Sequence, residues 1–82
     1  GGNKMSLLKI TDKKVKISLS DAQAAVGGLV QVVRCPDGSK LLVNEEGLWL
    51  RLPYNEEATK LAGQPIVGNA IHFAKGCGRS WG

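Results

Sequence analysis

The apolar positions fall into short runs, most of them alternating with polar residues and each closed by a turn-forming cluster. Residues 7–10 (LLKI) and 15–19 (VKISL) are separated by Thr11-Asp12-Lys13-Lys14, and Val15, Ile17 and Leu19 alternate with Lys16 and Ser18. Alternation of period two marks a half-buried strand, so a first hairpin is expected here. Ser20 and Gln23 then have capping-box spacing, and Ala22, Ala25, Val26 and Leu29 recur at helical intervals up to Gly27-Gly28. A helix that starts at Ser20 and stops at the glycine pair follows.

The valine-rich run 29–35 (LVQVVRC) is apolar on both faces and reads as a central strand. Cys35-Pro36-Asp37-Gly38-Ser39 supplies a hairpin turn with positive φ at Gly38, and 41–43 (LLV) returns. Asn44-Glu45-Glu46-Gly47 predicts a second tight turn, with Gly47 in a left-handed bulge position. In 48–52, Leu48, Leu50 and Leu52 alternate with Trp49 and Arg51, which predicts a strand with its leucines on the core. Asn55 caps a second, short helix with Glu56 and Glu57 in its first turn, and Gly63 and Pro65 stop it. The closing strand is 66–74, with a bulge expected at Gly68-Asn69.

The expected fold class is α+β: a small antiparallel sheet of five to six strands, in the order β-β-α-β-β-β-α-β, with two short helices. At 82 residues one domain is expected. It is placed at residues 5–74, after a cloning remnant at 1–4 and before a flexible glycine-rich tail at 75–82. A core this small leaves little room for an elaborate buried active site. No apolar run approaches the ~20 residues of a membrane span, and there is no secretory pattern at the N-terminus. A cytoplasmic protein in a bacterial host is the expectation.

Charge adds one possibility and removes another. The net charge of +4 excludes a DNA mimic, which needs a strongly negative surface, and is compatible with an anionic partner. Lys9, Lys13, Lys14 and Lys16 gather near the start, and with Trp49 as a stacking surface beside Arg51 they make a candidate nucleic-acid face. Two cysteines and one histidine make no metal pattern, and no cofactor is expected. Cys35 with His72 is the sole conceivable dyad, and Cys35 opens a hairpin turn away from any orienting group. The expectation is a protein that is not an enzyme. Trp49 and Arg51, of types enriched at binding hot spots, are the leading contact residues.

Several separate motifs, in order, resemble a small domain of unknown function found in tailed-phage, prophage and conjugative-element proteins. They are Val26-Gly27-Gly28, Val43 to Gly47, Leu52-Pro53 with Asn55, Ala58-Thr59, and Ile66 to Ala70. Asn69 stands where those domains carry an acidic residue. The resemblance implies an accessory product of a mobile element that acts on a host protein or a small anionic ligand, in host takeover or against host defences. It carries no catalytic residues across. Asn44, Asn55 and Thr59 are then either helix-capping and packing residues or a polar ligand-binding rim. Exposed sheet edges make a homodimer a further expectation.

Overall fold

A computed structural model describes residues 5–81; the proposed remnant at 1–4 lies outside the described residues. The elements are β1 (Leu7–Ile10), α1 (Leu19–Val26), β2 (Val30–Arg34), β3 (Lys40–Asn44), α2 (Glu56–Ala62), β4 (Ala70–Phe73) and a short 3-10 turn at Arg79–Trp81. The strands form one four-stranded mixed sheet in the order β1-β4-β3-β2. The β2–β3 hairpin turns at Gly38 (φ 90°) as its composition predicts. β4 joins β3 antiparallel and β1 parallel.

The expected antiparallel sheet of five to six strands is therefore corrected in three places. Residues 15–18 form no strand and pair with no strand among the described residues, and the chain turns at Asp12, whose carboxylate accepts the Lys14 N–H at 2.8 Å. It then enters α1 two residues early. Ser18, not Ser20, is the N-cap, and its hydroxyl accepts the Asp21 N–H at 3.1 Å. β2 lies on an edge, with no strand beyond it among the described residues, while β3 is central and buried at all five positions. Valine richness reported a strand but not its rank in the sheet.

The third correction is at residues 48–52, which form no strand. They close consecutive helical turns: Leu50 N–H donates to Glu46 O at 2.8 Å, Arg51 N–H to Leu48 O at 3.1 Å, and Leu52 N–H to Gly47 O at 3.0 Å. Arg51 takes a left-handed φ of 57°. Gly47, expected in a left-handed bulge position, has no positive φ; close approach favours glycine there, since a Cβ would lie 2.9 Å from Val67 Cγ2.

The sheet is covered on both faces. α1 packs through Ala22 on Ile10, Leu42, Ile71 and Phe73, with Cys77. α2 packs through Ala58 and Ala62 on Val33, Leu41, Val43, Ile66 and Ala70, with Cys35. The two thiols are thus free and buried in different clusters. Residues 75–81, expected to be a loose tail, lie against the core. Cys77 and Gly78 are buried, and Lys40 Nζ donates to Gly78 O at 3.0 Å.

The register sorts the loops to two ends. Ile10, Phe73, Lys40 and Arg34 form one row of the sheet. Loops 11–18, 35–39 and 74–81 leave from that row. Residues 27–29, 45–54 and 66–69 lie at the opposite end.

Candidate functional site

At that opposite end the turn at 47–52 leaves a cluster of large apolar side chains in solvent. Trp49 is 79% exposed, Leu48 75%, Tyr54 53% and Leu50 46%. Of the three leucines expected in the core, Leu48 and Leu50 are outside, while Leu52 is half-buried with its side chain against Gly68. Glu45 and Glu46 precede the turn, Glu56 and Glu57 follow it, and all four are exposed. Arg51 stands among them, also exposed.

An open groove of about 180 Å³ adjoins the turn, lined by Gln31, Val33, Asn44, Glu45, Leu48 and Ile66 among others. That is below the several hundred Å³ of pockets that enclose a small-molecule ligand. Leu48 forms part of its wall, so the apolar surface runs from the turn into the groove.

The three residues read as a possible polar rim are engaged within the chain. Asn55 is 2% exposed. Its Nδ2 donates to Ser6 O at 3.1 Å and Gly68 O at 2.9 Å, while its Oδ1 accepts the Ala58 N–H at 3.1 Å. Asn44 Nδ2 donates to Val26 O at 3.1 Å and its Oδ1 accepts the Glu46 N–H at 2.8 Å. Thr59 Oγ1 accepts the Ile66 N–H at 2.8 Å and donates to Ile66 O at 3.3 Å. These side chains hold the frame that presents the turn. Asn69 does the same for the chain start: its Oδ1 accepts the Ser6 N–H at 2.9 Å, a task that a carboxylate oxygen could also perform.

The candidate nucleic-acid set is divided. Lys9 lies 3.4 Å from the Glu57 carboxylate. Lys13, Lys14 and Lys16 are on loop 11–18, at the other end from Trp49 and Arg51. Sequence spacing gave no sign of this, because the two ends are fixed by the long-range pairing of β1 with β4.

Cys35 and His72 share the α2 side of the sheet but make no hydrogen bond to each other. His72 Nε2 is buried without a partner. Burial holds the His72 pKa below the usual 6.5, with Asp37 opposing and Lys9 adding to the shift. Protonation would add an unpaired buried N–H, which disfavours the charged ring. Asp37 is shifted down from 3.8, first by the Ser39 hydroxyl and then by the Ser39 N–H.

No described helix is long and apolar enough to cross a membrane. No curated protein and no solved structure matches the chain. A family model does: the domain of unknown function DUF3846, over residues 5–80.

Proposed function

The chain belongs to DUF3846, a family of unknown function, and we propose that within it this protein is a binding module without chemistry of its own, which docks a protein partner on the turn at residues 47–54. One observation carries the reading: a tryptophan 79% exposed, beside a leucine 75% exposed, the two most exposed of the large apolar side chains. Clustered apolar surface on a small protein marks an interaction site, and tryptophan is the side chain most enriched among binding hot spots. The left-handed Arg51 supports it. A non-glycine residue in that region costs of order 1–3 kcal/mol and persists where the surroundings enforce it, often at functional positions.

The flanking charges favour a particular partner. Four glutamates border the apolar cluster, one of them already satisfied by Lys9. A small anion at Trp49 and Arg51 would be repelled by them. A protein with an apolar cleft rimmed by lysine or arginine would be complementary. The resemblance of the sequence motifs to mobile-element domains favours a host protein as that partner, and with it a role in host takeover or anti-defence.

The test is a Trp49→benzoylphenylalanine substitution, irradiated in host cells. One discrete protein adduct is expected, lost when Leu48→Asp is added, with a basic rim at the crosslinked cleft. Failure to form an adduct, or an adduct to nucleic acid, removes the proposal.

A further inference from the structure

The other end of the molecule carries a second surface. Lys13, Lys14 and Lys16 leave the sheet after β1, and Lys75 and Arg79 leave it after β4, more than fifty residues later. Parallel pairing of β1 with β4 brings the two runs together. A Cβ built on Gly76 would lie 3.3 Å from Lys13 Cε and 3.8 Å from its Nζ. A Cβ on Gly38 would lie 3.1 Å from Lys75 Cδ, so Lys75 lies over the β2–β3 turn. All five cations are exposed, and none makes an ion pair with a described residue. Beneath them the buried Lys40 ammonium, held by Gly78 O, adds a sixth positive charge.

Three carboxylates share this end: Asp12, Asp21 and Asp37. Two are occupied locally, Asp12 by the Lys14 N–H and Asp37 by Ser39. These neutral donors leave the carboxylate charges in place, and six cations against three carboxylates still leave a net positive charge at this end. We infer that this end is an anion-binding surface for the phosphodiester backbone of a nucleic acid, distinct from the protein-docking turn at the opposite end.

The separation of charge from apolar surface selects this ligand over an anionic bilayer. Proteins that lie on membranes set cations around a large inserted apolar face. Here Leu29, Leu48, Trp49, Leu50 and Tyr54 are at the other end, and beside the lysines only Val15 and Leu19 are exposed among the large apolar residues. Charge without a broad apolar face fits counterion release from a polyphosphate backbone. It implies affinity without base readout.

The experiment is fluorescence anisotropy with labelled duplex and single-stranded oligonucleotides of mixed sequence, from 50 to 200 mM salt. If five cations meet five phosphates, duplex affinity falls about 500-fold across that fourfold range, from a slope near −0.9 per contact. Lys13→Gln with Lys75→Gln should lower the slope by about 2 and weaken binding equally for all sequences. Trp49→Ala should leave both unchanged, which separates this surface from the docking turn. Circular dichroism of each variant confirms the fold. The inference is overturned by no binding to either strand form at 50 mM salt, or by binding that the lysine pair does not alter. It is also overturned if vesicles containing phosphatidylserine bind and oligonucleotides do not.

Discussion

Asn55 offers the sharpest perturbation of the frame. Its amide joins three chain segments: the entry to β1 through Ser6 O, the approach to β4 through Gly68 O, and the first turn of α2 through the Ala58 N–H. Loss of a helix cap costs about 1 kcal/mol. Each carbonyl that loses its donor in a buried setting costs about 1–3 kcal/mol more. Asn55→Ala is therefore expected to destabilise by about 3–7 kcal/mol. A chain of this size has about 4–12 kcal/mol in all. At about 4–8 °C per kcal/mol, Tm should fall by 12 °C at the least. Asn55→Ser isolates the bridging role, because serine caps a helix as well as asparagine does but cannot reach the two carbonyls. Urea unfolding followed by circular dichroism should place it about 2–6 kcal/mol below the unsubstituted chain with an unchanged m-value. A serine variant within 0.5 kcal/mol of wild type would mean that the bridge to Ser6 and Gly68 contributes nothing, and the reasoning fails.

Two further outcomes follow from the frame. Gly78→Ala should destabilise by more than about 2 kcal/mol, because a Cβ there would lie 2.5 Å from Phe73 Cγ at a left-handed φ of 64°; a Tm within 3 °C of wild type would show that the tail does not pack as described. His72 gives a pH dependence. Its folded pKa is depressed, so below about 6.5 the unfolded chain binds the extra proton; stability is full above that pH and is lost as pH falls through the folded value. Tm should decline between pH 7.5 and 5.5, and His72→Gln should flatten that decline; an equal slope in both proteins would assign the effect to other groups.

Local chemistry made the β2–β3 hairpin, the Asn55 cap and the positions of both helices legible. Long-range pairing was not. No periodicity in Leu7–Ile10 indicates that it runs parallel to β4 rather than back along residues 15–19. Ser18 and Ser20 both look like caps, and the alternation of Val15, Ile17 and Leu19 masked the earlier one. The most instructive case is residues 48–52. Alternation of five residues is equally satisfied by a strand and by a turn that leaves Leu48, Trp49 and Leu50 in solvent, and local spacing does not choose between them. That same error concealed Leu48, Leu50 and Tyr54 as companions of Trp49 in the candidate site. The approach of Lys13 to the segment that carries Lys75 was likewise invisible, since it depends on which strands are neighbours.

Acrylamide quenching of Trp49 in a Trp81→Phe variant tests most directly whether the turn at 47–54 is a partner-facing surface. The isolated chain should emit at the red-shifted wavelength of solvated indole and quench almost as freely as a short peptide, with protection arising only when the crosslinked partner is added. Blue-shifted, quencher-resistant emission from the chain alone would place Trp49 inside the protein and contradict the account.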